Sequence, residues 1–176
     1  MVTVKIEGHL LQSKLEEALA NIVGKRAWLG REFKVPGTRL RWDMAYEING
    51  GIVVVEFDGE AHYRDPLRIK KDLLKDEIAK QYNYTTIRIP YWVQLNNQTL
   101  KYYFGLKANI KQDFPHGFIT TKHFPASFCE LGVKRFKKEF EELPVRVRNA
   151  VRKSLIERSE ENGKIYVLPR RLWNII

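Results

Sequence analysis

The chain of 176 residues contains one cysteine, Cys129, and this scarcity excludes an internal disulfide framework and a zinc cluster built from cysteines. No apolar run approaches the roughly 20 residues that a membrane helix needs, and the first residues lack the profile of a signal peptide. We therefore expect an intracellular, cytoplasmic protein with no membrane partner. The length suits one domain with a full core, or a core domain with a small appendage.

Acidic residues are also few relative to basic ones: 31 lysines and arginines against 21 aspartates and glutamates give a formal net charge of +10. A charge of this size indicates a polyanionic partner, with nucleic acid as the first candidate. Ribosome-associated proteins and membrane-surface binders share such a charge, so a more specific feature is needed. A carboxylate cluster within a basic chain is more informative, because the acids need a metal while the surrounding cations hold phosphates.

The most informative stretch, residues 40–64, predicts a β-hairpin. Two apolar runs rich in β-branched residues, 40–48 and 52–57, flank the tripeptide Asn-Gly-Gly at 49–51. This tripeptide supplies the positive φ angles that a tight hairpin requires. The second run is apolar at each of its first four positions, which is typical of a central strand covered on both sides.

Three acidic side chains emerge from this hairpin. Glu56 and Asp58 are two residues apart on a strand, so their carboxylates leave the same face, and Asp43 can reach them from the paired strand. Converging carboxylates repel one another and lose hydration, and a bound divalent cation relieves both costs. We therefore predict a divalent-metal site at these three acids, with solvated strand-end acids as the plainer alternative.

Residues 1–95 predict the element order α-β-β-β-α-β. Outside the hairpin, the predicted elements are helices at 13–24 and 65–81 and strands at 28–35 and 84–89. A helix between two strands usually forms a right-handed crossover that leaves them parallel, so the sheet should be mixed. The expected fold class is α/β, in the α+β sense, with helices flanking a mixed sheet.

The first of these helices predicts a capping box. Ser13 is the expected N-cap, and Glu16, three residues later, is its reciprocal partner. The alternative role for Glu16 is that of an acid directed toward the metal site.

The second helix is predicted to begin at Asp65-Pro66. Its apolar face is predicted to consist of Leu67, Leu74 and Ile78. Lys71 and Lys75 lie on one flank of that face, and both could reach back to the sheet.

Residues 96–176 predict a mostly helical C-terminal extension packed on the core. An aromatic and basic stretch at 100–106 is followed by a loop region with Pro115 and Pro125, then by a helix at 144–158. Arg146, Arg148 and Arg152 on this helix either contact phosphates or face solvent. A further strand is predicted at 164–168.

The order of motifs at 10–95 resembles the PD-(D/E)XK nuclease superfamily, and within it the branch of very-short-patch-repair (Vsr) endonucleases and their restriction-enzyme-like relatives. The matching positions are Ser13 with Glu16, Asp43, Glu56-Phe57-Asp58-Gly59, His62, Asp72 with Lys75-Asp76, and Ile87-Arg88-Ile89. Trp42 replaces the family proline, Asp58 stands where the superfamily usually has lysine, and Lys75 where the branch often has arginine. The resemblance implies a restriction-endonuclease-like core at 1–95 and assigns nothing at 96–176.

The resemblance also implies an activity, namely Mg²⁺-dependent hydrolysis of DNA phosphodiester bonds of the restriction or repair type, with Mn²⁺ as a substitute. Asp43, Glu56 and the backbone carbonyl of Phe57 would bind the metal ion. Asp58 would complete the acid cluster or orient a water. His62 would act as a general acid or base, its alternative being a hydrogen-bonded structural histidine.

The remaining candidates would orient water or contact phosphate. Glu16 would orient a water or His62. Lys75 would neutralise charge on the phosphate, or instead pair with Asp72 or Glu16. The predicted nucleic-acid-binding residues are Lys71, Arg146, Arg148 and Arg152.

Two other functions fit the same residues. One is a catalytically inactive module that keeps the nuclease fold and binds nucleic acid. The other is a subunit of a heteromeric restriction or transposition system, which would act only with its partner. The expected ligand in each case is DNA, most simply double-stranded, bound by a homodimer or by a chain with a partner subunit.

Overall fold

The computed structural model describes residues 1–113, 117 and 124–176, which form a mixed α/β protein. The strands are β1 (Thr3–Ile6), β2 (Trp28–Lys34), β3 (Arg41–Ile48), β4 (Gly51–Asp58), β5 (Thr85–Pro90) and β6 (Asn109–Gln112). The α-helices are α1 (Gln12–Val23), α2 (Ala61–Arg64), α3 (Pro66–Gln81), α4 (Asn97–Phe104), α5 (Glu130–Glu142), α6 (Val145–Asn162) and α7 (Lys164–Val167). Short 3-10 helices lie at Lys25–Ala27 and Arg170–Ile175. Within the predicted loop region, Pro115 lies outside the described residues.

Four strands form the central sheet in the order β2-β3-β4-β5. The pairs β2-β3 and β3-β4 are antiparallel, whereas β5 runs parallel to β4 after the crossover through α3. The predicted mixed sheet is therefore confirmed, as is the element order over 1–95, although β1 precedes it and the short α2 lies between β4 and α3.

The hairpin that joins β3 to β4 forms as its sequence predicts. Asn49 and Gly50 have φ angles of 52° and 77°, both in the left-handed region that this turn requires. Val53, Val54 and Val55 are buried, which confirms β4 as a central strand covered on both faces.

A helical layer covers each face of the sheet. Buried residues of α1 pack on one face against Met44, Tyr46, Val53 and Val55. The opposite face carries α3, whose Ala79 packs with Trp42, Ala45 and Val54. Side chains at 44–46 of β3 and 53–55 of β4 alternate between these two layers, as the pleat of a strand requires.

The N-terminus of α1 differs from the prediction. The helix begins at Gln12, so Ser13 lies inside it, and no side-chain hydrogen bond caps the helix at Leu11. Glu16 instead accepts hydrogen bonds from Nε of Arg31 on β2, at 2.5 and 2.7 Å. The capping box at Ser13 and Glu16 is therefore wrong, because an N-cap residue must precede the first helical turn.

The face that α3 turns toward the sheet agrees with the prediction at Ile78, which packs against the core, but differs at the two leucines. Asp65 caps the helix as expected, accepting a hydrogen bond from the Leu67 amide. Leu67 and Leu74, however, are 74% and 47% exposed. The buried residues of α3 are Ile69, Asp72, Lys75 and Ala79. The sheet below α3 carries charged side chains, so the helix turns charged partners toward it and leaves the two leucines in solvent.

The C-terminal extension packs directly on the core. Strand β1 pairs in parallel with β6, which ties the first residues of the chain to the extension. A second apolar cluster joins residues of α5 and α6 to Tyr63, Tyr91 and Trp92 of the core. The helix predicted at 144–158 is confirmed as α6, but the strand predicted at 164–168 is wrong, because α7 is helical there. Within the described part of the chain, no helix is both long and apolar enough to cross a bilayer.

Candidate functional site

An open pocket of about 530 Å³ lies between the ends of β3 and β4 and the first turns of α3. We call it the β3-β4 pocket, and its lining residues are Glu32, Asp43, Glu56, His62, Asp65, Leu67, Arg68, Lys71, Asp72 and Lys75. It therefore brings together five of the residues that the sequence predicts for the site: Asp43, Glu56, His62, Lys71 and Lys75.

Strand register places Asp43 beside Glu56. Ala45 pairs with Val54 in the antiparallel ladder, so the positions two residues further, Asp43 and Glu56, fall opposite each other on the same face. Oδ2 of Asp43 accepts a hydrogen bond from the Phe57 amide at 2.8 Å. This contact fixes the carboxylate next to Glu56 at the end of the strand pair.

Glu56 and Lys75 form a buried ion pair at the base of the pocket. Their exposed fractions are 3% and 6%, and the Lys75 ammonium contacts Oε1 of Glu56. The ammonium also lies 5.3 Å from the centre of the buried Trp42 ring, within the range of a cation-π interaction. Lys75 thus pairs with Glu56 and not with either of its predicted partners, Asp72 and Glu16.

Burial governs the protonation of both carboxylates. Burial, together with the negative charge of Asp43, raises the pKa of Glu56 to about 7, although the positive charge of Lys75 lowers it. Burial also raises the pKa of Asp43, against the hydrogen bond from the Phe57 amide. Two neighbouring carboxylates that resist ionisation are a setting in which a cation would stabilise the charged forms.

His62, on α2, lies at the edge of the pocket and is held by a carboxylate. Its Nδ1 atom lies 2.7 Å from Oδ2 of Asp72 and 3.2 Å from Oδ1 of Asp58. Because a carboxylate can only accept, Nδ1 carries the proton in this arrangement. The ring itself lines the pocket, so His62 is both a hydrogen-bonded histidine and a residue facing the site.

Asp58 occupies a different environment from the one predicted. It is fully buried beneath the pocket, where Nη1 of Arg88 donates to it at 3.0 Å and Nη2 of Arg135 contacts its other oxygen. Among the described residues, Asp58, His62 and Asp72 form a group of three whose possible ligand atoms all lie within 4.8 Å of one another, whereas Asp43, Glu56 and Asp58 do not form such a group. The expected convergence of all three acids is therefore wrong: Asp43 and Glu56 lie side by side, but Asp58 is held apart by its contacts with Arg88 and Arg135.

These two arginines organise the charges under α3. We define the arginine network as Arg88 and Arg135 with the carboxylates of Asp58, Asp72, Asp76 and Glu139. Nη1 of Arg135 donates to Asp72 at 2.8 Å, and its Nε donates to Glu139 at 2.7 Å. Nε of Arg88 donates to Asp76 at 3.0 Å. A cation at Asp58 and Asp72 would have to displace these guanidinium groups, so the arginine network disfavours a metal ion there.

The other predicted residues lie outside the pocket. Glu16 is on the α1 side of the sheet, bound to Arg31, whereas the pocket opens on the α3 side. Arg148 donates to the backbone oxygen of Glu141, and Arg152 donates to that of Ile175. The third arginine of that helix, Arg146, is exposed. The structure thus brings neither Glu16 nor the α6 arginines to the β3-β4 pocket.

Sequence reasoning missed Arg135, Arg68 and Glu32. Arg135 belongs to α5, whose Val133, Phe136 and Phe140 have helical spacing, so the helix itself had a detectable signal. Arg68 is on the same helix as Lys71 and could have been included with it. For Glu32 we find no sequence signal, since it reaches the pocket from a β2 position with a φ angle of 46°.

Comparisons of the chain with protein-family models, with curated proteins and with solved structures found no match. The resemblance at 10–95 therefore stays a prediction.

Removing the charge of Asp72 tests the arginine network. Burial alone would raise the pKa of Asp72. The hydrogen bond with His62 and the positive charge of Arg88 outweigh burial, so the pKa of Asp72 lies below its ordinary value of 3.8. Asp72 therefore contributes its full stabilisation at a pH above 3.8, the ordinary pKa of aspartate. This stabilisation is lost as the pH falls through the lowered pKa of Asp72 in the folded protein. We expect Asp72→Asn to reduce the free energy of unfolding by about 3 kcal/mol at neutral pH, since it leaves a buried cation short of a partner.

Urea unfolding of wild type and Asp72→Asn over a pH series measures this effect. The difference in unfolding free energy should narrow as the solution is acidified below about pH 4. The control is Asp65→Asn at the exposed N-cap of α3, which should lose less than about 0.5 kcal/mol, because asparagine caps a helix about as well as aspartate. Equal stability of wild type and Asp72→Asn at neutral pH would contradict the interpretation.

Proposed function

We propose that this chain is a divalent-metal-dependent nuclease that hydrolyses phosphodiester bonds of DNA in the β3-β4 pocket. The observation that carries the proposal is the pair Asp43 and Glu56, opposed on adjacent strands, with Lys75 and His62 in the same pocket. Two oxygen donors, a lysine and a histidine around an open cavity are suited to metal-assisted hydrolysis of a phosphodiester.

The donor set fits Mg²⁺, a hard cation that prefers oxygen ligands and is typically bound by one or two carboxylates. In the contacts described for the pocket, the Phe57 amide uses Oδ2 of Asp43 and Lys75 uses Oε1 of Glu56. Each carboxylate therefore keeps its second oxygen for a cation, with the Phe57 carbonyl as a further candidate ligand. When bound there, Mg²⁺ or Mn²⁺ would polarise the phosphoryl oxygen and acidify water.

Two side chains of the pocket would move or balance charge during the reaction. With Nδ1 bound to Asp72, the Nε2 atom of His62 can exchange a proton with water or with the leaving oxygen. Lys75 holds Glu56 in place and puts a positive charge where the phosphate gains negative charge. We assign no catalytic role to Glu16, and we assign Asp58 a structural one.

Phosphate groups would approach the pocket along the exposed side of α3. Arg68 and Lys71 of α3 are exposed, and both line the β3-β4 pocket. The α6 arginines are the rival surface, although Arg148 and Arg152 already bind backbone oxygens. The net charge of +10 favours a polyanion as the ligand.

Substitution of the two opposed acids tests the proposed activity. Asp43→Asn and Glu56→Gln should each lower Mg²⁺-dependent cleavage of supercoiled plasmid by at least about 1,000-fold, because each removes a charged metal ligand. Affinity for DNA should stay similar or increase, because each substitution removes negative charge near phosphate. The matched control is Glu47→Gln, an exposed acid on the same strand as Asp43, which should cleave like wild type.

A wild-type chain that does not cleave in Mg²⁺ or Mn²⁺, yet binds DNA, would contradict the proposed activity. It would favour the inactive binding module. Cleavage that appears only after a second protein is added would favour the heteromeric system.

A salt titration of DNA affinity separates the two candidate surfaces. The double variant Arg68→Ala with Lys71→Ala should weaken binding to all sequences alike, because it removes cations that would pair with phosphates. It should also make the slope of log K against log salt shallower, by up to about 0.9 for each phosphate that is no longer neutralised. The triple variant Arg146→Ala, Arg148→Ala and Arg152→Ala should change the slope less. The opposite ranking would place the DNA along α6 and refute the α3 surface.

A further inference from the structure

One side chain of the C-terminal extension reaches under the β3-β4 pocket. Arg135, on α5, lies 77 positions along the chain from Asp58, yet its Nη2 contacts that carboxylate and its Nη1 donates to Asp72 at 2.8 Å. The same Nη1 atom is 3.2 Å from the backbone oxygen of His62. Arg135 therefore touches both the carboxylate that holds the His62 ring and the backbone of His62 itself.

The helix that carries Arg135 is docked tightly on the segment that carries His62. A Cβ atom added at Gly132 would lie 1.7 Å from the backbone oxygen of Tyr63, so only glycine permits this approach. That oxygen accepts a hydrogen bond from the Cys129 amide at 3.1 Å. The Arg135 guanidinium also lies 5.0 Å from the centre of the Tyr63 ring. These contacts fix α5 against α2 at the residue next to His62.

The remaining partners hold the guanidinium in one orientation. Nε of Arg135 donates to Glu139, one turn along α5, and the Tyr63 hydroxyl donates to the other oxygen of Glu139 at 2.5 Å. Each of the three nitrogens of the planar guanidinium contacts a different carboxylate, so Arg135 binds Asp58, Asp72 and Glu139 at the same time. The ammonium group of a lysine at this position could not contact all three in a fixed geometry.

We infer that Arg135 is a positioning residue of the site: by holding Asp72 and the His62 backbone, it fixes the imidazole with Nδ1 protonated and Nε2 directed to the β3-β4 pocket. The C-terminal extension is then part of the site, which residues 1–95 alone do not complete. This inference rests on the proposed role of His62 in the nuclease reaction.

The orientation of His62 can be measured without activity. In protein labelled with ¹⁵N-histidine, a two-bond ¹H-¹⁵N spectrum distinguishes the two imidazole tautomers, and His62→Gln identifies the His62 signals. We expect the Nδ1-protonated form in wild type and a mixture in Arg135→Ala. Added methylguanidinium should restore the wild-type signals, whereas methylammonium should not. Lys134→Met, an exposed neighbour on α5, is the control and should leave the signals unchanged.

The same variants are compared by their kcat for DNA cleavage and their affinity for DNA. Arg135→Ala should lower kcat by about 100-fold through misplacement of His62, with the affinity for DNA within about twofold of wild type. Methylguanidinium should recover part of kcat. Arg135→Lys keeps the positive charge but lacks the planar guanidinium, so it should fold and show His62 signals between those of wild type and Arg135→Ala.

The outcomes separate this inference from the proposed function. Unchanged His62 signals in folded Arg135→Ala would overturn the positioning role, whether or not wild type cleaves DNA. Altered signals in a protein that never cleaves DNA would support positioning and refute the nuclease proposal. Loss of folding in both Arg135→Ala and Arg135→Lys would assign Arg135 to the fold alone and also overturn the inference.

Discussion

The burial of charge between the sheet and α3 is the constraint on which the rest of the structure depends. Asp58 and Glu56 leave β4 on the face that α3 covers, and a buried charge is costly unless it is paired and hydrogen-bonded. The chain meets this requirement with Lys75 for Glu56 and with the arginine network for Asp58. The orientation of α3, including its exposed leucines, follows from that requirement.

The same constraint divides the acids by function. Asp58 is neutralised from two sides and stabilises the fold below the pocket. Asp43 and Glu56 line the β3-β4 pocket, where we propose that a cation binds. The two sets meet at His62, whose Nδ1 binds Asp72 of the arginine network while its ring lines the pocket. A substitution in the arginine network is therefore expected to affect His62 through its hydrogen bond with Asp72.

Local signals predicted much of the fold. Asn49 and Gly50 specified the hairpin because few residues tolerate positive φ, and Asp65-Pro66 specified the start of α3. Side-chain alternation correctly placed Asp43 and Glu56 on one face. The strands β1 and β6 were missed because four-residue strands carry too little pattern for detection.

The partners of each charge could not be read from the sequence. The sequence suggests a metal ligand at Asp58 because the two arginines that neutralise it, Arg88 and Arg135, lie 30 and 77 positions away along the chain. Leu67 and Leu74 looked buried because apolar periodicity ignores a polar surface beneath the helix. Both errors come from long-range pairing, which spacing along the chain does not encode.

Calorimetric titration with Mn²⁺ in the absence of DNA measures whether Asp43 and Glu56 bind a divalent cation. We expect Mn²⁺ to bind to wild type and to Glu47→Gln, and not to folded Glu56→Gln. Because burial raises the pKa of Glu56 to about 7, the affinity should increase as the pH rises toward that value and level off above it. Equal Mn²⁺ binding by folded wild type and Glu56→Gln would contradict a cation site at these two carboxylates.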